Sequence, residues 1–220
     1  MKNLLAIDLD GTLEDSRADM LASVQRVRAA LGLPARPDDD FSPHITRGMG
    51  HLYARCFDDH LAGHDAAGAR RAAVQAAYEA DYGAHLVDTT RLYEGIAGVL
   101  PRLAGMAALA VVTNKPQALS ERLLEALGVR RWFAAVVGGD TCPREKPDPL
   151  PLRHAATAVG AEGRVVMIGD SPGDVRCGRD ANAGTVWCGW GYYEAAGDLA
   201  PDATAADPSE LPRLVRALLG

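Results

Sequence analysis

The sequence has few cysteines, and their spacing is not that of a disulfide framework. No C-x-x-C pair occurs among the four, which are Cys56, Cys142, Cys177 and Cys188. Small secreted domains that depend on disulfides carry many closely spaced cysteines. The pattern therefore excludes a disulfide-stapled scaffold and fits a reducing compartment.

Long basic runs and long apolar runs are also missing. The longest run of lysine or arginine is the pair Arg70–Arg71, and 29 acidic residues against 23 basic ones give a net charge of -6. A protein that binds a nucleic acid backbone needs a compensating basic face, so we expect no nucleic acid partner. No stretch approaches the roughly 18 apolar residues of a membrane helix, and the first apolar run turns acidic too soon for a signal peptide. We therefore expect a cytoplasmic protein without a membrane partner.

The composition of the 220 residues is that of an ordinary globular protein, with 48% hydrophobic and 24% charged side chains. At about 150 residues per domain, this length allows one large domain or two smaller ones. Composition alone decides nothing further about the fold, so the order of hydrophobic patterns along the chain has to do so.

Five short, continuous apolar runs alternate with helical patterns over much of the chain. Runs of this kind are typical of strands buried on both faces. The helical patterns keep their apolar residues on one face and end at a glycine such as Gly128 or Gly160. The alternation predicts an α/β fold with a parallel sheet and helices on both faces. The predicted strands are Leu4–Ile7, Leu109–Val112, Ala134–Val137, Val165–Ile168 and Thr185–Cys188.

One of these helical patterns contains a proline. Ile96, Val99, Leu100 and Leu103 fit the helical period, but Pro101 lies among them. A proline inside a helix removes a hydrogen bond and clashes with the preceding turn. We therefore expect this helix to be kinked or to start late.

The stretch from about Asp15 to Asp88 has no apolar run of the strand type and consists of helical patterns. Asp15 or Ser16 is a candidate N-cap for its first helix, because Asp19 follows Ser16 at the spacing of a capping box. The simplest interpretation is a helical insertion placed directly after the first strand. A single irregular domain is the alternative.

Polar residues follow three of the predicted strands at the point where each strand ends. Ligand sites of parallel sheets lie at the carboxyl ends of strands, so these segments should converge. A fourth segment, Lys146-Pro147-Asp148-Pro149, lies beyond the third strand. The three converging segments are Asp8-Leu9-Asp10-Gly11-Thr12, Thr113-Asn114-Lys115-Pro116 and Gly169-Asp170-Ser171-Pro172-Gly173-Asp174.

The carboxylates of these segments form a candidate metal site. Carboxylates that converge on a small volume repel one another unless a cation lies among them. Hard oxygen ligands suit Mg²⁺, which takes one or two carboxylates directly and keeps several waters. The candidate ligands are Asp8, Asp10, Asp170 and Asp174.

The same segments carry the groups that phosphoryl transfer requires. A metal ion would hold a substrate phosphate, and Lys146 would add a second positive charge. Thr113 and Asn114 offer hydrogen bonds to phosphate oxygens. Asp8 and Asp10 are two residues apart at a strand end and can point to the same side. One of them could attack phosphorus while the other moves protons.

These segments, in this order, resemble the four motifs of the haloacid dehalogenase superfamily of phosphatases. The resemblance covers nearly the whole chain. It implies a Rossmann-like three-layer core over residues 1–14 and 89–220, with an all-α helical cap domain over residues 15–88. The wider phrases similar to the phosphoglycolate phosphatase branch are Tyr93-Glu94-Gly95-Ile96, Val112-Thr113-Asn114-Lys115-Pro116 and Lys146-Pro147-Asp148-Pro149.

The resemblance implies a role for each acidic position. Asp8 would be the nucleophile and a Mg²⁺ ligand. Asp10 would protonate the leaving oxygen and then activate the hydrolytic water, with its backbone carbonyl on the metal. Asp170 would bind Mg²⁺ directly, and Asp174 would bind it through water or hold its ligands.

The resemblance also implies which residues hold the substrate. Thr113, Asn114 and Lys146 would bind the phosphoryl group. Arg47, in Arg47-Gly48-Met49-Gly50, resembles the glycine-containing loop that faces the active site in related caps. It is a candidate substrate ligand, and a plain surface arginine is the alternative.

Two positions distinguish between activities within the superfamily. Dehalogenases of this group lack the carboxylate found here at Asp10, and sugar phosphomutases typically carry valine where Thr12 stands. The resemblance therefore implies a Mg²⁺-dependent phosphatase, a monomer or homodimer acting on a small phosphorylated metabolite, with phosphoglycolate as the first candidate. The alternatives are a sugar phosphomutase, a nucleotidase or pyrophosphatase, and a catalytically silent module that binds a phosphometabolite.

Overall fold

The computed structural model describes residues 1–62, 68–194 and 196–220. The chain packs into two compact units. One consists of Met1–Asp15 and Leu92–Gly220, and the other of Ser16–Arg91. The first unit is α/β and the second is mainly helical.

The strands form one large parallel sheet and one small sheet. In the large sheet the strand order is β5-β4-β1-β6-β7-β8, and every pair is parallel. The strands β2 and β3 form a separate two-stranded sheet. The strands are β1 (Leu4–Ile7), β2 (Glu14–Asp15), β3 (Arg91–Leu92), β4 (Ala108–Val112), β5 (Ala135–Val137), β6 (Val165–Gly169), β7 (Gly184–Cys188) and β8 (Ala203–Ala205).

Ten α-helices lie among the described residues, five in each unit. Short 3₁₀ turns occur at Asp38–Asp40, Arg130–Trp132 and Pro208–Glu210. The helices are α1 (Arg17–Ala30), α2 (Ser42–Ile45), α3 (Met49–Cys56), α4 (Asp58–Leu61), α5 (Ala69–Ala84), α6 (Ile96–Ala104), α7 (Gln117–Ala126), α8 (Leu150–Val159), α9 (Pro172–Asp180) and α10 (Leu211–Leu219).

The large sheet is covered on both faces, which explains its continuous apolar strands. Leu4 and Ala6 of β1 pack with α8 and α9 in one core cluster. The alternate residues Leu5 and Ile7 are equally buried, and α6 and α10 pack against the sheet as well. Burial of successive residues on opposite faces removes any polar alternation from a strand. The predicted α/β fold and its five strands are confirmed. The short edge strand β8 was not predicted, because its residues do not form a continuous apolar run.

Of the two expectations for the proline-containing helix, the late start is wrong, and the kink stays a prediction. The helix α6 begins at Ile96, directly after Gly95, whose φ of 89° suits a glycine. Pro101 lies inside the helix, where it costs one hydrogen bond. Burial of the apolar face formed by Ile96, Val99, Leu100 and Leu103 offsets that loss.

The unit Ser16–Arg91 is built on the pairing of α1 with α5. Val24 and Val27 of α1 and Val74, Tyr78 and Tyr82 of α5 are buried there. The helix α1 ends at Ala30, and Gly32 follows its C-cap Leu31 with a φ of 68°. Between α1 and α5 the structure has three short helices, α2, α3 and α4.

The predicted capping box at the start of α1 does not form. Ser16 occupies the N-cap position, but its side chain makes no capping hydrogen bond and donates to the sulfur of Met20 instead. Asp19 accepts hydrogen bonds from the backbone N–H and the hydroxyl of both Thr89 and Thr90. The Asp19 carboxylate is therefore used to hold the distant segment at residues 89–90 and not the first turn of its own helix.

Candidate active site

The central position of β1 brings the acidic segments together. The strand β1 lies between β4 and β6, and its last residue, Ile7, pairs with Val111 on one side and Ile168 on the other. The backbone N–H of Asp8 continues this pairing with a 2.9 Å hydrogen bond to the carbonyl of Ile168. The segments that follow β1, β4 and β6 therefore leave the sheet side by side, as the topology of a parallel sheet requires.

Three carboxylates meet at this edge. Asp8, Asp170 and Asp174 each place one oxygen within 4.8 Å of the other two, and all three residues are buried. Among the described residues, this is the only group of acidic, histidine or cysteine side chains with the spacing of a metal site. Asp10 is not part of this group.

Asp170 is fixed by two hydrogen bonds and by two glycines. Its Oδ1 accepts from the hydroxyl of Thr12 at 3.0 Å, and its Oδ2 accepts from the backbone N–H of Tyr192 at 2.7 Å. A Cβ atom at Gly11 would lie 2.4 Å from this carboxylate, and one at Gly191 would lie 2.2 Å from the Cβ of Asp170. Both positions therefore require glycine to leave room for Asp170, a requirement that the sequence did not reveal.

Asp174 is oriented by the start of α9. Ser171 is the N-cap of this helix, and its hydroxyl and backbone N–H both bond Oδ2 of Asp174 in a capping box. A Cβ atom at Gly169 would lie 2.3 Å from the same carboxylate. The helix start thus fixes the carboxylate while Oδ1 points to another partner, Lys146.

Lys146 bridges two of the carboxylates. Its Nζ lies 2.6 Å from Oδ1 of Asp174 and 2.8 Å from Oδ1 of Asp8. The amide side chain of Asn114 holds the backbone of Lys146 by donating to its carbonyl and accepting from its N–H, both at 2.9 Å. Asn114 thus positions the lysine, and its predicted contact with phosphate stays a prediction.

Thr113 lies directly after β4 and is buried. Its N–H donates to the carbonyl of Val137, and its hydroxyl oxygen accepts from the backbone N–H of Lys115 at 3.2 Å. The threonine is therefore held in the turn that separates β4 from α7. Its predicted role in binding phosphate stays a prediction.

Lys115 is a residue to which sequence reasoning gave no role. Its side chain is only 1% exposed, and its Nζ forms an ion pair with Oδ1 of Asp10. The signal was present in the sequence, because Lys115 is a charged residue three positions beyond the end of a predicted buried strand. Without the tertiary structure, nothing connected it to Asp10.

Arg47 lies in the unit Ser16–Arg91, between α2 and α3, and its side chain is exposed. The following residue, Gly48, has a φ of 90°, a conformation that favours glycine. The predicted loop Arg47-Gly48-Met49-Gly50 is therefore only partly confirmed, because Met49 and Gly50 form the start of α3. The role of Arg47 in binding substrate stays a prediction.

The electrostatics of the cluster show a shortage of positive charge. Burial, followed by the charge of Asp174, raises the pKa of Asp8 well above its usual range, although Lys146 opposes the shift. Burial and the charge of Asp174 also raise the pKa of Asp170 to about 7. For Lys146, burial would lower the pKa, but Asp174 and Asp8 outweigh it and raise that pKa. Three buried carboxyl groups beside a single ammonium group fit a hard divalent cation.

No helix among the described residues is long and apolar enough to cross a membrane.

Comparison with known proteins gives one consistent result. The family model described as haloacid dehalogenase-like hydrolase matches residues 5–188. A phosphoglycolate phosphatase of Chromobacterium violaceum is 34% identical over 214 residues, which are 96% of each chain. One from Xanthomonas campestris is 36% identical over 187 residues, 84% of this chain and 82% of that one. The crystal structure of a predicted phosphoglycolate phosphatase from Haemophilus somnus superposes with a TM-score of 0.86 at 26% identity, covering 96% of this chain and 97% of the other.

Proposed function

The chain belongs to the haloacid dehalogenase-like hydrolase family and is a phosphatase for small phosphorylated compounds, and we propose that its substrate is phosphoglycolate. The observation that carries this proposal is the identity of 34–36%, over most of the chain, to relatives named phosphoglycolate phosphatase. The buried cluster of Asp8, Asp170, Asp174 and Lys146 supports it, because it offers the charges that a phosphate monoester needs.

We further propose that the two units have different functions, one in catalysis and the other in substrate selection. The α/β unit, Met1–Asp15 with Leu92–Gly220, is the Rossmann-like catalytic core, and the unit Ser16–Arg91 is the cap that selects the substrate. The support is that all the predicted catalytic residues lie in the α/β unit, whereas Arg47 lies in the helical one. The cytoplasmic location and the oligomeric state stay predictions from the sequence.

In the proposed reaction, Asp8 attacks the phosphorus atom. Its Oδ1 accepts from the N–H of Leu9 at 2.7 Å and from Nζ of Lys146. Neither contact involves Oδ2, which we assign as the attacking oxygen. A bond forms between Oδ2 and phosphorus as the ester bond from phosphorus to the leaving oxygen breaks.

Asp10 would handle the protons of both steps. It gives a proton to the leaving oxygen, which departs as the alcohol group of glycolate. It then accepts a proton from the water that attacks the aspartyl phosphate, and inorganic phosphate and free Asp8 result. Lys146, Thr113 and Asn114 would hold the phosphoryl oxygens during both steps.

We propose that Mg²⁺ is the cation of the carboxylate cluster. Asp8 and Asp170 would bind it directly, and the backbone carbonyl of Asp10 would complete the protein ligands. Asp174 would act indirectly, because Lys146 contacts its Oδ1 and Ser171 contacts its Oδ2. When bound, the ion supplies positive charge that neutralises the phosphoryl oxygens.

A substrate panel tests this proposal. Purified protein with Mg²⁺ is offered phosphoglycolate, a sugar phosphate, a nucleoside monophosphate and pyrophosphate, and release of inorganic phosphate is followed. We expect phosphoglycolate to have the highest kcat/KM, and Asp8→Asn to abolish turnover. Asp198→Asn, an exposed carboxylate of the same unit, is the matched control and should retain full activity.

Each other outcome of the panel has a defined meaning. If a nucleotide or pyrophosphate has a higher kcat/KM than phosphoglycolate, that compound is the preferred substrate and the proposal of phosphoglycolate is wrong. Movement of phosphate within a sugar without release would indicate a mutase. Full activity of Asp8→Asn would overturn the mechanism, and binding without turnover of any compound would indicate a silent binding module.

A further inference from the structure

Lysine is rare in this chain, and its placement is unusual. The sequence contains only Lys2, Lys115 and Lys146, so nearly all of its 23 basic residues are arginines. Lys2 is exposed at the N-terminus, whereas the side chains of Lys115 and Lys146 are 1% and 4% exposed. Both buried lysines contact aspartates of the candidate active site. A compact ammonium fits where a planar guanidinium fork would need more space.

The two buried lysines form ion pairs with different aspartates. Lys146 contacts Asp8 and Asp174, which belong to the part of the site where phosphorus would be attacked. Lys115 contacts Asp10, the residue proposed to exchange protons with the leaving oxygen and with water. The positive charge of the site is therefore divided between a phosphoryl side and a leaving-group side.

The backbone of Lys115 is held firmly in the turn after β4. Its N–H donates to the hydroxyl oxygen of Thr113, and its carbonyl accepts from the N–H of Gly139 at 2.9 Å. A Cβ atom at Gly138 would lie 2.8 Å from that carbonyl oxygen, so the neighbouring turn packs directly against it. The backbone contacts therefore fix the position of the Cα atom from which the side chain of Lys115 extends.

Asp10 is more exposed than Asp8 and Asp174. It follows β1 in a turn, and its side chain is 18% exposed, more than the 11% of Asp8 and the 2% of Asp174. A carboxyl group transfers a proton only within about 2.6–3.2 Å of its partner atom, so its orientation matters directly. The ion pair with Lys115 ties Asp10 to the end of β4.

We propose that Lys115 is a positioning residue that holds the carboxyl group of Asp10 in line with the leaving oxygen. This inference rests on the proposed function, because it assumes that Asp10 exchanges protons during hydrolysis. Asp10 gives a proton to the leaving oxygen as the ester bond to phosphorus breaks, and the resulting carboxylate pairs with the ammonium of Lys115. The carboxylate later takes a proton from water, and Lys115 itself neither gains nor loses one.

The inference makes a prediction about leaving groups. An alkoxide such as that of glycolate is a poor leaving group and needs a proton, whereas a nitrophenolate leaves without one. The parameter to compare is kcat/KM, which reports the steps up to departure of the leaving group. We expect Lys115→Met to lower kcat/KM about 10- to 100-fold for phosphoglycolate and less than about 3-fold for nitrophenyl phosphate.

Matched variants separate positioning from a general structural role. Lys115→Arg keeps the charge and should restore part of the lost activity toward phosphoglycolate, whereas Lys115→Gln should not. Lys2→Met removes an exposed lysine and should behave as wild type. The affinity of Lys115→Met for inorganic phosphate, measured by calorimetry, should stay within about 2-fold of wild type because Lys146 is untouched. Should Lys115→Met fail to fold, the Arg and Gln variants carry the comparison.

Asp10→Asn distinguishes failure of this inference from failure of the proposed function. It should show the same selective loss toward phosphoglycolate, only larger. If Asp10→Asn is selective but Lys115→Met lowers both esters equally, or neither, the role of Lys115 is wrong and the proposed mechanism stands. If Asp10→Asn is not selective, the proposed role of Asp10 is wrong. If wild type does not hydrolyse phosphoglycolate, the proposed substrate is wrong, and the same comparison is made with an alkyl ester that it does hydrolyse.

Discussion

The ammonium nitrogen of Lys146 lies 2.6 Å from Oδ1 of Asp174. The same nitrogen contacts Asp8, so one cation is shared by two members of the proposed metal site. A metal ion entering the cluster meets this positive charge, and a phosphate entering it is attracted by the same charge. Lys146 should therefore strengthen phosphate binding and weaken cation binding.

Lys146→Met separates these two effects. We expect kcat/KM to fall about 10²- to 10³-fold, because a positive charge aimed at the phosphoryl oxygens is lost. Phosphate affinity should fall as well, while Mg²⁺ affinity should rise several-fold, because repulsion between two cations is removed. Calorimetric titration of each ligand measures both. A drop in Mg²⁺ affinity would contradict the competition between Lys146 and the metal, and Lys2→Met is the control.

Mg²⁺ should stabilise the fold as well as support catalysis. Burial and the neighbouring charge of Asp174 raise the pKa values of Asp8 and Asp170, so a divalent cation that binds there would relieve an unfavourable arrangement of negative charge. At 100 times its dissociation constant, a ligand of the native state adds about 2.7 kcal/mol to the free energy of unfolding. For a chain of this length, Tm should rise about 2–4 °C for each of those kcal/mol.

The measurement is thermal unfolding with Mg²⁺ and with a chelator, and the chelator should also abolish phosphatase activity. Asp170→Asn is the matched variant, because it removes one carboxylate of the cluster and should lose most of the Mg²⁺-dependent shift in Tm. An equal shift in wild type and variant would place the ion elsewhere.

Gly191→Ala should damage the metal site without touching a charged residue. An added Cβ would lie 2.2 Å from the Cβ of Asp170, so the aspartate has to move. Displacement of a ligand by its supporting residues typically costs about 10- to 100-fold in metal affinity. Gly98→Ala is the control: nothing lies within 4 Å of an added Cβ there. Since Gly98 is inside α6, its replacement should stabilise the protein by about 0.5–1 kcal/mol.

Titration of Mg²⁺ measures the outcome for both glycine variants. Unchanged Mg²⁺ affinity in Gly191→Ala would show that Asp170 is not a ligand or that the loop yields to the added methyl group. The circular dichroism of both variants should match that of wild type.

Asp19→Asn should weaken the helical unit in a pH-dependent way. Burial would raise the pKa of Asp19, but hydrogen bonds from Thr89 and Thr90 outweigh it, and the net effect is a lowered pKa. A carboxyl whose pKa is lower in the folded state stabilises that state above its unfolded pKa of about 3.9 and loses this effect as the pH falls through the folded value.

We therefore expect Asp19→Asn to lower the free energy of unfolding by about 1–3 kcal/mol at neutral pH. The difference from wild type should shrink as the pH falls below about 4. Denaturant unfolding at both pH values measures it, with the exposed Asp39→Asn as control. A difference that is the same at both pH values would show that the charge of Asp19 does not contribute.

Much of the core was predictable because its signals are local. A run such as Leu4–Ile7 is apolar at every position since the strand is covered on both faces, and that property is written in consecutive residues. Asp8 and Asp170 each follow a predicted strand. Because parallel strands place their ligand sites at one edge of the sheet, the sequence was enough to predict that these two residues lie close together.

Local patterns failed where a side chain has more than one possible partner. The spacing of Ser16 and Asp19 is that of a capping box, but Asp19 bonds Thr89 and Thr90, which are about seventy positions away in the chain. The amide of Asn114 holds the backbone of Lys146, a contact that no local pattern indicated, while its contact with phosphate stays a prediction. Hydrogen-bonding capacity is visible in a sequence, but the choice of partner is not.

The sequence by itself determined the α/β fold, the position of the helical insertion as an expectation, and the identity of the acidic and basic residues at the strand ends. Only the tertiary structure decided which lysine forms an ion pair with which aspartate. Only the tertiary structure explains why Gly11 and Gly191 must lack a side chain beside Asp170. The physical reason is that secondary structure follows from the periodicity of neighbouring residues. Ion pairs and close approaches, in contrast, depend on distances between segments that are far apart in the chain.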